Sequence, residues 1–293
     1  MFVKQSTLNK VGCMRGVGLH TGKKVNLKLI PSKDNFGIIF RRVDLLCPID
    51  IPAVFSNVVN TEFSTVLKQN GVYVKTVEHL LSAIFSLGID NILIEMDSDE
   101  VPIMDGSSYP FIYLLLCCGI KVLNEPKKFL KIKKELMVSM NNKFILVSPC
   151  DKFSVSIGLN LSSFNIFNFF NFEFSFFNYL YFISRARTFG FYEQYKNLLA
   201  CDLAKGASFD NVLVFYEGNI LNKNMARYND EFLRHKVLDF LGDISLIGKG
   251  VIGSFLSNMP SHKLNNKLLN ILFFQPNMYD LVLLHRSYGF ILY

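Results

Sequence analysis

Residues 76–96 read TVEHLLSAIFSLGIDNILIEM, and this stretch decides the fold class. The apolar residues of 77–87 recur with the spacing of an amphipathic helix, and Gly88 is a common residue just after a helix. The run 91–96 follows at once and has the short, branched apolar character of a strand. A helix that passes directly into a strand predicts a fold in which both kinds of element mix.

The same mixture extends in both directions along the chain. Alternating or apolar runs predict strands at 24–30, 144–147, 153–161 and 170–176, and apolar spacing predicts helices at 110–118, 232–247 and 263–273. The polar, proline-containing segment 124–128 is predicted to be a linker. We therefore expect an α+β fold with two domains of similar size, residues 1–125 and 126–293.

Composition limits the classes of function. Half of the 293 residues are hydrophobic and 19% are charged, which is typical of a chain that buries a core. The net charge of +7 favours anionic partners, but Lys, Asn, Ile and Phe are abundant together, as AT-rich codons dictate, so the charge has little functional weight. The densest aromatic run, 170–176, has the period of a strand, which favours core packing over stacking on nucleic-acid bases. We predict no nucleic-acid partner.

Cysteines and apolar segments indicate the compartment. The six cysteines form no C-x-x-C pair, so we expect reduced, mostly buried thiols in a cytoplasmic protein. Residues 1–10 lack the apolar core of a signal peptide. The run 164–183 is long enough to cross a bilayer, but polar residues interrupt it with a period of two. The prediction is a protein without a transmembrane segment, with room for a transient contact with a membrane surface.

A polar stripe on the predicted helix 232–247 is the strongest local signal for chemistry. His235, Asp239 and Asp243 are spaced four residues apart, so they project from one helix face among apolar neighbours. Imidazole and carboxylate are both zinc ligands, and three protein ligands leave a fourth position for water. The pattern alone leaves open a solvated helix face held by hydrogen bonds between successive turns.

The pair Glu78 and His79 opens the predicted helix 77–87. Thr76 is placed to cap that helix, and Glu78 in its first turn suits the helix dipole. In the functional interpretation, His79 binds a metal and Glu78 is the base that acts on metal-bound water. In the structural alternative, Glu78 is a surface residue that stabilises the dipole and His79 is half-buried.

Three further histidines differ in their surroundings. His262 follows a loop of small polar residues, a typical place for a catalytic group, although an exposed loop histidine has the same pattern. His20 lies in the turn GVGLHTG (16–22), whose glycines let backbone approach a ligand, so it is a candidate substrate-binding residue; a plain turn between strands is the alternative. The turn is not a phosphate-binding P-loop, because no Ser or Thr follows Lys23. His285 has no supporting pattern and is predicted to be structural.

Together these segments resemble the bacterial UDP-3-O-acyl-N-acetylglucosamine deacetylases, which remove an acetyl group in early lipid A synthesis. The resemblance spans nearly the whole chain in the family's order, and several long blocks in one order are very specific. The blocks are GVGLHTGKKVNLKLIP (16–31), TVEHLLSAIFSLGIDNILIE (76–95), VPIMDGSSYPFIYLLL (101–116), SRARTFGF (184–191), KGASFD (205–210), RYNDEFLRHKVLDFLGD (227–243) and SHKLNNKLL (261–269).

The resemblance implies a Zn²⁺ site formed by His79, His235 and Asp239. It makes Glu78 the general base that takes a proton from water. It makes His262 the protonated group that helps the amine leave. Zinc in such a site lowers the pKa of bound water and polarises the amide carbonyl.

Four other residues match positions near the reaction centre of that family. Asp243 resembles the residue that orients His262. Thr188 stands where the family places a hydroxyl near the carbonyl oxygen, a position suited to stabilising an oxyanion. Phe189 and Lys236 match positions that contact the sugar, acyl or phosphate parts of the substrate.

The implied fold is two β-α-α-β domains packed as a layered sandwich, with the active site at their interface. The implied activity is zinc-dependent hydrolysis of the acetamide of UDP-3-O-acyl-N-acetylglucosamine by a cytoplasmic monomer. An insert in the second domain would help to form an apolar passage for the acyl chain. The sequence departs from the family at Gly158, Leu159 and Leu161–Ser162, which replace an acid, an aromatic that contacts uracil and a His-Pro pair.

Two alternatives stay open within this resemblance. One is a diverged homologue that binds a UDP-sugar or a partner without efficient turnover, which the departures near residue 159 motivate. The other is a zinc hydrolase that acts on a different acylated amino sugar. Substrate tests distinguish both from the implied activity.

Overall fold

Runs of strands are interspersed with helices in the computed structural model, which describes residues 1–161 and 166–285, and the predicted α+β class is confirmed. The helices are α1 (Glu78–Ser86), α2 (Tyr109–Cys118), α3 (Phe176–Asn178), α4 (Tyr192–Ala200), α5 (Glu231–Ile244) and α6 (His262–Phe274). The first ten strands are β1 (Lys4–Leu8), β2 (Gly12–Val17), β3 (Lys24–Pro31), β4 (Ile38–Arg42), β5 (Ile49–Pro52), β6 (Val58–Asn60), β7 (Val66–Gln69), β8 (Val72–Val74), β9 (Ile92–Met96) and β10 (Ile120–Pro126). The remaining ten are β11 (Lys128–Ile132), β12 (Leu136–Met140), β13 (Lys143–Ser148), β14 (Phe153–Leu161), β15 (Ile166–Glu173), β16 (Phe189–Phe191), β17 (Leu213–Tyr216), β18 (Asn219–Ile220), β19 (Gly250–Asn258) and β20 (Tyr279–Leu283).

The first half of the chain builds a five-stranded sheet in the order β2-β3-β9-β4-β5. β4 and β9 run parallel, and the other neighbours are antiparallel. In β3, Val25, Leu27 and Leu29 are buried and the residues between them are exposed, so one face of the sheet covers the core. The short segment 87–91 that follows α1 leads directly into the central strand β9, as the sequence of residues 76–96 predicts.

The second half builds a seven-stranded sheet around β19. The start of β19 pairs in parallel with β11, and its remainder lies between β14, which is parallel, and β13, which is antiparallel. β14 continues as a hairpin with β15. All strands of this sheet come from residues 128–283, whereas all strands of the five-stranded sheet come from residues 12–96.

Helix α1 from the first half packs directly against α5 from the second half, and α6 packs against α5 as well. The two helices lie very close at Gly242, where a Cβ atom would be 2.1 Å from the carbonyl oxygen of Glu78. Any larger residue at 242 would push the first turn of α1 away from α5. Because Gly242 has no side chain, the first turn of α1 can lie directly against the polar face of α5.

Two predicted elements were wrong in their extent. The segment 124–128 is not a linker, because β10 extends to Pro126 and pairs with β1, and β11 begins at Lys128. The predicted strand 170–176 begins earlier and ends at Glu173. Ser175 then caps α3 by accepting a hydrogen bond from the backbone N–H of Asn178 at 3.1 Å, which turns the chain out of the sheet.

The expectation of mostly buried cysteines was also wrong. Cys118 is buried and Cys150 is half-buried, and the other four are exposed, namely Cys13, Cys47, Cys117 and Cys201. All six are free thiols, in agreement with the absence of a disulfide pattern.

None of the helices in the described ranges is both long enough and apolar enough to span a bilayer.

Leu159, which replaces the family's aromatic, is 4% exposed and lies opposite Asn168 in the β14–β15 hairpin. Its side chain is therefore part of the core. Ser162 lies outside the described residues.

Candidate active site

Three buried side chains meet where α1 packs against α5. His79 comes from the first turn of α1, and His235 and Asp239 come from successive turns of α5. One potential ligand atom from each lies within 4.8 Å of the others. Nε2 of His235 is 3.1 Å, and Nε2 of His79 is 3.7 Å, from Oδ1 of Asp239. All three residues are at most 5% exposed, so the solvated-face alternative for α5 was wrong.

Neighbouring groups fix the orientation of His235 and Asp239. Nδ1 of His235 lies 3.0 Å from the carbonyl oxygen of Ala186, and because a carbonyl can only accept, Nδ1 is the donor and Nε2 is the nitrogen that faces Asp239. Nζ of Lys236 donates to Oδ2 of Asp239 at 2.7 Å, which leaves Oδ1 facing the histidines. Burial acts to raise the pKa of Asp239, but His235 and Lys236 hold it well below its usual value. The carboxylate is therefore ionised.

His79 has the properties of a metal ligand rather than of a solvated histidine. Burial, reinforced by the nearby His235, lowers the pKa of His79 to about 3, so its imidazole is neutral. Its Nδ1 is buried and has no hydrogen-bond partner among the described residues. Imidazole nitrogens and a carboxylate oxygen are a donor set that suits a divalent transition-metal ion. The three side chains therefore fit such an ion.

Glu78 lies beside this cluster, with Oε1 3.8 Å from Nε2 of His262. The residue is 3% exposed, which contradicts the surface alternative considered for it. Burial, together with repulsion from Asp243 and Asp239, raises the pKa of Glu78 to about 7 against the opposing effect of His262. A carboxyl group with a pKa near neutrality is suited to take up and release a proton.

His262 is the first residue of α6, where Ser261 accepts a capping hydrogen bond from Leu264. Its Nδ1 donates to Oδ2 of Asp243 at 2.8 Å. Burial acts to lower the pKa of His262, but the charges of Asp243 and Glu78 prevail and raise it to about 9. The ring is therefore an imidazolium near neutral pH, with Nε2–H available on the side of Glu78.

Two residues around Asp243 were missed in the sequence. Thr65 donates through its hydroxyl to Oδ1 of Asp243 at 2.6 Å and through its backbone N–H to Oε2 of Glu78 at 3.1 Å. Nδ2 of Asn265 donates to Oδ2 of Asp243 at 2.7 Å. Asn265 follows His262 by three residues and so shares its helix face, a spacing that points to it. Nothing in the local sequence marks Thr65, which precedes β7.

Phe189 and Lys236 lie next to the histidines. The ring of Phe189 is 6.4 Å from that of His235, and Nζ of Lys236 is 5.3 Å from the centre of the Phe189 ring. Thr188 precedes Phe189, is half-buried and donates its backbone N–H to the carbonyl of Gly106 at 2.9 Å. Its hydroxyl has no hydrogen bond to another described residue. These residues border the cluster on the side of β16.

A buried ion pair holds this border in place. The backbone N–H and the Nε of Arg187 both donate to Oε1 of Glu231 at 2.9 Å, and both side chains are at most 2% exposed. Glu231 is the first residue of α5, so the pair ties the segment before β16 to the helix that carries His235. Such a pair fixes geometry more than it adds stability.

His20 is buried, but no described contact joins its ring to the cluster. Its backbone N–H donates to Oε1 of Glu100 at 2.9 Å, and its carbonyl accepts from the backbone N–H of Lys205. Burial lowers the pKa of its ring, whose two nitrogens have no partner among the described residues. Thr76 donates to the same Glu100 at 3.0 Å and does not cap α1, so the predicted cap was wrong.

A buried His-His-Asp cluster beside a carboxyl group with a pKa near neutrality and a cationic histidine is typical of the class of metal-dependent hydrolases. Comparison with known proteins identifies the particular family. The sequence model of LpxC, UDP-3-O-acyl N-acetylglycosamine deacetylase, matches residues 5–274, and the chain belongs to this family.

Three relatives illustrate the likeness, each named UDP-3-O-acyl-N-acetylglucosamine deacetylase. The chain is 43% identical over 284 residues to that of Coxiella burnetii (strain Dugway 5J108-111), covering 96% of this chain and 93% of the relative. Identities over the same coverage are 44% for Teredinibacter turnerae and 42% for Cellvibrio japonicus. The family resemblance of the sequence blocks is thereby confirmed.

Proposed function

We propose that the protein hydrolyses the acetamide of UDP-3-O-acyl-N-acetylglucosamine, releasing acetate and a free amine, in early lipid A synthesis. Membership of the deacetylase family over residues 5–274 supports the substrate. The observation that carries the chemistry is the meeting of His79, His235 and Asp239 beside Glu78 and His262.

In this proposal the metal is zinc, held by His79, His235 and Asp239. When bound there, zinc polarises the amide carbonyl and makes water more acidic. The donor set, its burial and the hydrogen bond that orients the His235 ring with Nε2 toward Asp239 support this assignment. His79 remains neutral and Asp239 ionised in the folded chain, which are the forms that bind a cation.

Glu78 acts as the general base and His262 as the general acid. Oε2 of Glu78 is engaged by Thr65, so Oε1 is the oxygen that takes the proton from the attacking water. His262 keeps Nδ1–H on Asp243 and gives the proton on Nε2 to the departing nitrogen. A separation of 3.8 Å between Oε1 and Nε2 lets both groups act on one small reaction centre.

The residues at the border are assigned to the substrate. Thr188 would stabilise the oxyanion through its hydroxyl, and Phe189 and Lys236 would contact the sugar or its acyl or phosphate groups. His20 would contact the substrate from the turn 16–22, supported by its two unsatisfied ring nitrogens. These four roles rest on position and on the family.

The separation of the two main sheets supports a division into domains 1–125 and 126–293, with α1 and α5 meeting at the boundary. We further propose that the protein works as a cytoplasmic monomer. Because its substrate carries an acyl chain, a transient contact with a membrane surface is part of the proposal.

Acetate release from the acylated UDP-sugar, measured together with the metal content of the purified protein, tests this function. Glu78→Gln should lower kcat by about 10²–10⁴-fold, the usual effect of losing a general base, with the metal retained. Glu95→Gln, on β9 outside the cluster, is the control and should match the wild type. A metal-loaded wild-type protein that releases no acetate would contradict the proposal and favour a diverged, non-catalytic homologue.

A further inference from the structure

Thr65 is the one residue that contacts both Glu78 and Asp243 in the described hydrogen bonds. It lies in the loop between β6 and β7, which contributes none of the residues assigned above. It is 2% exposed, and both of its partners are at most 3% exposed. The contact with Glu78 uses the backbone, and the contact with Asp243 uses the side chain.

The hydroxyl completes the set of donors around Asp243. Oδ2 accepts from His262 at 2.8 Å and from Asn265 at 2.7 Å, and Oδ1 accepts from Thr65 at 2.6 Å. Donors on both oxygens prevent the carboxylate from rotating about its own bond. Because His262 is hydrogen-bonded to this carboxylate, the direction of its ring depends on the third donor as well.

The backbone N–H of Thr65 likewise restrains the carboxylate of Glu78. It engages Oε2 and thereby leaves Oε1 as the oxygen nearest to His262. Thr65 thus contacts both Glu78, the proposed base, and Asp243, which holds the proposed acid His262. A shift of this one residue would move both groups relative to each other.

We infer that Thr65 is a positioning residue that fixes Glu78 and the Asp243–His262 pair in one relative geometry, an inference that rests on the proposed deacetylation. Its hydroxyl acts through Asp243 and does not touch the substrate. Loss of the hydroxyl leaves a buried carboxylate oxygen without a donor, while the backbone contact to Glu78 persists. The loss should therefore impair proton donation by His262 rather than proton uptake by Glu78.

Thr65→Val removes only the hydroxyl and keeps the branched shape, and Thr65→Ser keeps the hydroxyl. We expect Thr65→Val to lower kcat by about 10–100-fold, as loss of a supporting hydrogen bond commonly does, with KM and metal content unchanged. Thr65→Ser should restore kcat. Because a thiol is a weaker donor than a hydroxyl, the kcat of Thr65→Cys should lie between those of the Val and Ser variants. If Thr65→Val does not fold, the comparison of Thr65→Ser with Thr65→Cys tests the inference.

The pH profile separates positioning from a structural role. Around His262, the charged groups are Asp243 and Asp239 on α5 and Glu78 on α1. Without the Thr65 donor, Asp243 has more negative charge to offer the imidazolium, so the basic limb of the kcat profile should move to higher pH. A loss of folded protein alone would lower the amplitude and leave the limb in place.

Thr7→Val is the matched control, because Thr7 is also 2% exposed and its hydroxyl also makes a hydrogen bond, accepting a part-buried one from the backbone N–H of Ser32 at 2.8 Å. It should lower the melting temperature and leave kcat and the pH profile unchanged. A Thr65→Val enzyme with wild-type kcat and profile would overturn the inference while the active wild type upholds the proposed function. A wild-type protein that is itself inactive would overturn both.

Discussion

Replacing Asp243 by asparagine removes the charge that keeps His262 an imidazolium. Burial alone lowers the pKa of this histidine, and Asp243 is the largest of the groups that raise it, from 6.5 to about 9. That rise corresponds to roughly 3 kcal/mol of preference for the charged ring. In Asp243→Asn we therefore expect the pKa to return to its ordinary value or below.

The expected change in rate follows from the protonated fraction. At about pH 7.5, roughly 97% of a histidine with a pKa of about 9 is protonated, against roughly 10% when the pKa is 6.5. The variant should therefore lose about tenfold in kcat at this pH from protonation alone, and more from the loss of orientation.

The full pH profile of kcat provides the assay. In the proposed mechanism the active form needs ionised Glu78 and protonated His262, so the rate should fall below the pKa of the first and above the pKa of the second. Asp243 repels the charge on Glu78 and attracts that on His262, so both limbs should move to lower pH in the variant. A bound divalent cation lowers both pKa values, so the limbs are compared between variant and wild type. An unmoved basic limb in a metal-loaded, folded variant would refute the assigned role of Asp243.

Two further results are expected. Gly242→Ala places a Cβ 2.1 Å from the carbonyl oxygen of Glu78 and should lower both the melting temperature and kcat. Gly190→Ala, where the nearest atom is 3.9 Å away, is the control and should lower neither. Equal effects of the two substitutions would contradict the close approach of α1 and α5. Chelation of the metal should lower the melting temperature, by an amount that grows with the metal's affinity, and added zinc should reverse it; a melting temperature indifferent to chelator would contradict a buried site shared by both halves of the chain.

Local periodicity in the sequence was sufficient for the elements that carry the cluster. The four-residue spacing of His235, Asp239 and Asp243 follows from helix geometry alone, and Glu78 with His79 marks the start of α1. Local periodicity could not show that the two helices meet, which only the family resemblance implied, because that contact depends on a glycine facing a carbonyl in a distant segment.

Features that depend on long-range pairing were beyond the sequence. The segment 124–128 has the composition of a linker, yet β10 is held by β1, which comes from the first residues of the chain. Thr76 has the type and place of a helix cap, yet its hydroxyl serves Glu100. Thr65 carries no local signal, because its importance comes only from contacts with Glu78 in the next helix and with Asp243 in the other half of the chain.

The central claim is that His79, His235 and Asp239 bind one metal ion beside Glu78. A crystal structure of the zinc-loaded protein, with anomalous scattering recorded at the zinc edge, tests it directly. The expected result is a single strong peak about 2.0–2.2 Å from Nε2 of both histidines and from a carboxylate oxygen of Asp239. A zinc-loaded crystal with its peak elsewhere, or with any of these three side chains turned away from the ion, would contradict it.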